Sequence, residues 1–189
     1  GPDTVNGGAG NDAIFGDLGG DNLYGNEGRD AVHGGEGNDY LNGGAGMDAL
    51  FGDAGDDVLE GGVDQAFEWD NLAGGDGHDT YNIRDAYDVI TGEEAFSSAT
   101  SYDTVLLLAA SIDLLKSAAT QAIEKIVVAN QNGASVIANG LDNLILGDKG
   151  TDNLYGGFGN DTIEGKDGAD LLDGSFGNDI LWGGIGSET

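Results

Sequence analysis

The feature that most constrains this chain is a spacing. Aspartates fall at Asp3, Asp12, Asp21, Asp30, Asp39, Asp48 and Asp57, nine residues apart through seven units without a slip. Two residues after each stands an aliphatic side chain: Val5, Ile14, Leu23, Val32, Leu41, Leu50 and Leu59. Two residues before stands a glycine, as at Gly10, Gly19, Gly28, Gly37 and Gly46, and another opens the unit, as at Gly7, Gly16, Gly25, Gly34 and Gly43. A fixed short period of this kind describes an array in which one unit is stacked many times. Each unit divides into a six-residue turn, such as Gly7 to Asp12, and a three-residue strand, such as Ala13 to Phe15. Side chains alternate across a strand, so only the middle residue of the three faces inward. Three residues bury too little to hold alone, and a core arises only when units stack. The reading is an all-β solenoid.

A second block repeats the pattern with Asp152, Asp161, Asp170 and Asp179, with inward residues Leu154, Ile163, Leu172 and Leu181, and with Gly156, Gly159, Gly165 and Gly168 in the turns. Asn143 precedes it in phase and Glu188 follows it in phase. A shorter stretch around Asp70, Asp79 and Asp88 keeps the spacing but is displaced by four residues, so the repeat restarts after an insertion near Val63 to Trp69. The chain therefore reads as four parts: a first block over 1–62, an insertion and shorter stretch over 63–90, a connecting or capping segment without the repeat over 91–142, and a second block over 143–189. Within the third part, 105–110 and 123–128 read as strands. Between them Ser111 is placed to cap a short helix carrying Ile112, Leu115 and Ala119 on one side. This segment is expected to cover an outer face on which Ala13, Ala31 and Ala49 lie beside Phe15, His33 and Phe51. The opposite face carries Asn22, Tyr40 and Val58 beside Tyr24, Asn42 and Glu60.

Charge narrows the partners. With 35 acidic and 6 basic residues the formal charge is −29, which disfavours nucleic acid and points to cations. A self-repelling chain with 37 glycines orders only once that charge is met. There is no cysteine, so neither disulfides nor thiolate sites staple the fold. No run of 18 apolar residues is present and no basic-then-apolar leader opens the sequence, so neither a membrane span nor an N-terminal export signal is expected. The only histidines are His33, at an outward strand position, and His78, in a turn, and neither belongs to a nucleophile–base–acid set. A non-catalytic chain is the expectation.

The unit follows the pattern G-G-x-G-x-D-x-U-x, and in this the chain resembles the RTX family of secreted bacterial proteins. Eleven near-complete units carry the resemblance, six within 7–60, one within 74–82 and four within 147–182. The resemblance implies a right-handed parallel β-roll in which two units make one coil of 18 residues, with Ca²⁺ held between turns by the aspartates and by carbonyls of the glycine turns. The aspartates named above, with Asp70 and Asp79, are then the metal residues, together with the turn glycines. Stacked pairs 18 apart are Asp3–Asp21, Asp12–Asp30, Asp21–Asp39, Asp30–Asp48, Asp39–Asp57, Asp152–Asp170 and Asp161–Asp179. Two carboxylates one strand spacing apart, ~4.8 Å, repel by roughly 3 kcal/mol at an effective dielectric of 20. Ca²⁺ reverses that sign, because it is a hard ion that takes six to eight oxygens. About seven or more ions are expected, with Asn143–Asp161 and Asp170–Glu188 as weaker sites. The resemblance also implies export in the unfolded state by a type I system, folding outside the cell or at its surface, and a structural or adhesive role beside other domains of a parent chain. Two alternatives stand beside it. One is an accessory module of a secreted protease, lipase or alginate epimerase. The other is a carbohydrate-binding module stacking Tyr24, Tyr40, Tyr155 and Trp182 on extracellular glycans. Ice binding is set aside, because outward positions lack a threonine array and Thr162 is a rare case.

Overall fold

A computed structural model describes residues 1–63, 68–91, 102–114 and 123–186. Its architecture is a β-solenoid of parallel sheets, with almost no helix among the described residues. Consecutive strands alternate between two sides of the roll, so each strand pairs with the strand one coil away. Ten strands form one long sheet that runs from Thr4–Ala9 through Val58–Gly62, Thr80–Ile83, Asp103–Leu107, Ile123–Val128 and Leu144–Leu146 to Ile180–Gly186. The other side is split. Ala13–Phe15, Ala31–Glu36, Ala49–Ala54, Asn71–Asp76 and Val89–Ile90 make a five-stranded sheet, and Ser111–Asp113, Ser135–Ile137, Asn153–Tyr155 and Leu171–Asp173 make a four-stranded one.

The register follows the sequence period. Leu23 pairs with Leu41, Leu41 with Leu59, and Leu59 with Tyr81, so like positions stack in a column down the middle of the roll. Leu23, Leu41, Leu59, Tyr81, Val105, Ile126, Ile145 and Ile163 are fully buried in the column of the long sheet. Ile14, Val32, Leu50, Leu72 and Ile90 fill the facing column, and Val136 and Leu154 continue it beyond the split. Each such burial is worth about 1.5–3 kcal/mol, and each depends on the coils above and below. Leu181, in the last described strand, pairs with Ile163 and is 40 % exposed.

Several strands are longer than the three residues expected. Asn22–Glu27 pairs with Tyr40–Ala45 beyond the core positions, with Asn26 opposite Gly44 and Glu27 opposite Ala45. The ladder runs into the turn because its second residue takes a positive φ, +79° at Asn26 and +108° at Gly44, which lets the chain bend and still pair. Asn and Asp tolerate this conformation better than other side chains, and Asp17 and Asp53 adopt it at the same position of other turns.

Two expectations for the segment 91–142 need correction. The strand expected at 123–128 is present as Ile123–Val128, and that at 105–110 lies at Asp103–Leu107. The helix expected to start at Ser111 does not, because Ser111–Asp113 is a strand whose Ser111 and Ile112 pair with Ser135 and Val136. Pairing along the stack overrides the local capping signal, while Leu115 and Ala119 lie outside the described residues. The described strands of this segment extend the sheets and do not lie over the Ala/Phe face. On that face Phe15, His33 and Phe51 stack on one another, with ring centroids 5.2 and 4.5 Å apart, and Phe15 stays 62 % exposed.

Candidate metal centre

Each aspartate stands where a turn enters a strand, and stacking in register sets these residues in two columns along the edges of the roll. A regular hydrogen bond links the rungs: the backbone N–H of one aspartate donates to Oδ1 of the aspartate one coil on. It is 2.7 Å from Asp3 to Asp21 and from Asp21 to Asp39, and 2.8 Å from Asp12 to Asp30, Asp30 to Asp48 and Asp39 to Asp57. In the second block it is 2.9 Å from Asp152 to Asp170 and from Asp161 to Asp179. All seven pairs spaced by 18 are thus neighbouring rungs. The spacing rule misses two more, Asp48 to Asp70 and Asp57 to Asp79, which are 22 residues apart because four extra residues lie between the coils.

The second carboxylate oxygen is the informative one. Oδ2 of Asp12, Asp21, Asp30, Asp39, Asp57, Asp79 and Asp161 is buried and has no hydrogen-bond partner. A buried carboxylate oxygen left bare is costly, and here the cost recurs at these seven rungs. Beside each bare oxygen lies a turn glycine that opens the unit. A Cβ on Gly16 would stand 2.6 Å from Asp21 Oδ2 and 2.5 Å from the carbonyl oxygen of Gly34 in the next coil. On Gly7 it would stand 2.7 Å from Asp12 Oδ2 and 2.9 Å from Gly25 O, and Gly25, Gly34, Gly43, Gly156 and Gly165 crowd their own aspartates in the same way. Glycine therefore leaves a cradle lined by carboxylate and main-chain oxygens, which any side chain would fill. Of the glycines two residues before an aspartate, Gly10, Gly19, Gly28, Gly37, Gly46, Gly159 and Gly168 take positive φ. Among the described residues no three acidic or imidazole side chains gather at one point. The donor set is instead two stacked carboxylates with backbone carbonyls, the all-oxygen set that suits a hard divalent cation such as Ca²⁺ and not a thiolate- or imidazole-seeking metal.

The same burial loads the columns with electrostatic strain. Desolvation pushes Asp57 and Asp79 up to about 7, against donation from the neighbouring rung's N–H and with help from the carboxylates of adjacent coils. Asp39 and Asp161 are raised for the same leading reason. Buried carboxyls such as Asp57 and Asp79 that resist ionisation, with a bare oxygen at rung after rung, make a site waiting for positive charge.

Comparison with known families matches residues 1–23, 15–50, 33–65, 137–172 and 155–187 to the RTX calcium-binding nonapeptide repeat (4 copies), which takes in more than half of the chain. The chain belongs to the RTX family. A comparison with curated proteins gives no match. As RTX repeats, the two blocks bind calcium, and the residues present fit the ion: bare Oδ2 atoms and turn carbonyls would hold it, and its charge would cancel the repulsion between rungs.

The two RTX edges are not alike. Along the long sheet the rungs continue past the first block as Asp57, Asp79, Asp103, Glu124, Asn143, Asp161 and Asp179. Asn143 keeps the rung bond, donating from its N–H to Asp161 Oδ1 at 2.8 Å, while its side-chain amide donates to Ile123 O and its Oδ1 is buried without a partner. On the other edge Asp70 and Asp88 extend the first block weakly, at 3.4 Å. Ala110 and Ala134 then stand before the strands where carboxylates would be, and only at Asp152 does the column resume, accepting from Ala134 N. Glu188 lies outside the described residues. Sequence reading missed Asp103 and Glu124 because the signal there is a lone Asp-Thr-Val after the glycines have gone, and because the spacing is no longer nine.

Of the outward aromatics, Tyr24 and Tyr40 pack against each other at 5.8 Å, and Tyr40 donates to Glu60. His33 sits between two phenyl rings with Nδ1 3.2 Å from Asp53 Oδ2. His78 Nδ1 accepts from Tyr102 N at 2.8 Å.

Proposed function

We propose that this chain is a structural module of a larger extracellular bacterial protein, exported unfolded and folded by Ca²⁺ outside the cell, where it serves as a non-catalytic, adhesive scaffold. The observation that carries this reading is the row of buried, bare Oδ2 atoms. Seven of them face oxygen-lined cradles in a chain of formal charge −29, so the roll without cation holds a stacked column of like charges. Sites of the extracellular kind bind at about 0.1–1 mM. Cytosolic calcium leaves such sites empty and the chain threadable, while external calcium fills them, so compartment alone switches the fold. The aspartates of both blocks and the glycines that open each unit are the proposed ligands, through carboxylate and carbonyl oxygen. His33 and His78 are engaged in stacking and main-chain contacts, which favours a scaffold over an enzyme. None of the four described strands of 91–142 lies over the outer faces, which favours those faces as docking places for other domains or surfaces.

The test is far-ultraviolet circular dichroism during a calcium titration, with ion binding followed by calorimetry. In chelator the chain is expected to give a coil spectrum, and at millimolar Ca²⁺ a β spectrum with about seven or more ions bound, through a steep transition because each filled rung preorganises the next. A β spectrum that persists in chelator near pH 8 would overturn the reading.

A further inference from the structure

The stretch from residue 66 to 136 carries no match to the nonapeptide, yet one edge of the roll keeps its carboxylates there. Asp79 N donates to Asp103 Oδ1 at 2.9 Å, and Asp103 N donates to Glu124 Oε2 at 3.0 Å. These are the same rung-to-rung bonds as in the repeat blocks, made across 24 and 21 residues instead of 18. Asp103 pairs into the long sheet against Ile123, and Thr104 against Thr80, so three successive coils carry their acids in line.

The structure assigns Asp103 and Glu124, in line with Asp79 of the repeat unit before them, to a further run of divalent-cation sites, of the calcium type, inside the segment that lacks the repeat. Alignment of acids alone would not carry this. The second observation is Asp79 itself, which is 1 % exposed, with Oδ1 accepting from Asp57 N and Oδ2 buried and without a partner. That oxygen lies in the cradle left by Gly74, beside the Tyr81 hydroxyl, which accepts from Gly74 N at 2.8 Å. Asp103 is 2 % exposed, so two adjacent carboxylates leave water together at this point. Glutamate fits the last rung because its longer arm reaches Asp103 N from a strand whose register has slipped by one residue, between Asp103 and Thr104 opposite Ile123 and Lys125. A cation here would make one edge a continuous ion column joining the two repeat blocks, whereas Ala110 and Ala134 break the other.

The inference rests on the calcium reading of the columns, and the experiment separates the two. The full chain and an Asp103→Asn/Glu124→Gln variant are compared for Ca²⁺ bound at saturation and for β signal in calcium and in chelator. Both substitutions keep the acceptor oxygen of the rung bond and remove the charge. The variant is expected to bind about two fewer ions than the parent, to need several-fold more calcium to fold, and to retain at least as much β signal as the parent in chelator, because part of the like-charge column is gone. An unchanged number of ions in a folded variant overturns the inference. So does a loss of β signal at saturating calcium, which marks a purely structural role; Asp79→Asn is measured in parallel and must reproduce the deficit. If the parent chain itself binds no calcium, the broader reading falls with it.

Discussion

Gly37→Ala is expected to disrupt the stack even at saturating calcium, whereas the same change at Gly10 is expected to cost little. Both residues hold the fourth position of a turn and both take positive φ, +132° at Gly37 and +115° at Gly10. An alanine in that region costs about 1–2 kcal/mol through its own backbone, so this part of the effect is common to both. The rest differs. A Cβ on Gly37 would overlap the carbonyl oxygen of Gly19 in the preceding coil, while a Cβ on Gly10 meets nothing within 4 Å. Backbone cannot step aside as a flexible side chain would, so at Gly37 the two coils must part. Parting them breaks the bond from Gly19 N to Glu36 O, and with it the alignment of Asp21 beneath Asp39. We expect about 4 kcal/mol or more at Gly37, the range reserved for such clashes, which lowers the melting temperature by about 10 °C or more in a domain of this size. At Gly10 the shift is a few degrees. Calcium-saturated melts of the two variants decide the matter: equal shifts would mean that close approach between coils does not limit the turn.

That contrast also shows what kind of information the sequence carries. The columns were legible because each coil repeats the same three demands: a glycine where chains touch, an acid at the strand entrance, and one inward aliphatic. Leu23, Val32, Leu41 and Leu50 are all fully buried, at the positions the period assigns. Legibility fails where the demand is met by geometry instead of by pattern. Asp103 and Glu124 hold the rung bond although the intervals of 24 and 21 residues hide them, because extra residues between strands leave a parallel ladder intact. Ser111 looked like a helix cap, yet Ser111 and Ile112 pair with Ser135 and Val136, and two residues of ladder with an inward Ile outweigh a local preference. The aromatic column Phe15–His33–Phe51 was visible as a spacing, but its stacking, with rings tilted by 10° and 12°, follows from strand pairing alone.

Calcium-free and calcium-loaded chains are expected to answer pH in opposite directions. In the calcium-free roll, burial holds Asp57 and Asp79 up to about 7 and raises Asp39 and Asp161 in the same sense. In the unfolded chain these carboxyls ionise near the ordinary value of 3.8. Between about pH 4 and 7 the roll therefore binds more protons than the unfolded chain, so by linkage its stability falls as pH rises through that window and is recovered on acidification. With calcium the sign turns over. The ion needs ionised carboxylates, so it must displace those protons, and its affinity climbs through the same window and levels off above pH 7. In chelator, β signal should thus be greatest near pH 4–5 and least near pH 8. In limiting calcium it should rise toward pH 8, and calorimetry near pH 6 should detect protons released on binding that are absent at pH 8.5. Acid also lowers the overall charge of −29, which alone would favour compaction. Salt separates the two causes, since about 1 M cuts the screening length to about 3 Å and silences exposed charge while leaving buried pairs coupled. If salt at pH 8 restores the calcium-free β signal as fully as acid does, repulsion over the surface governs folding and the buried columns do not; if only acid restores it, the protons have taken the place of the ions.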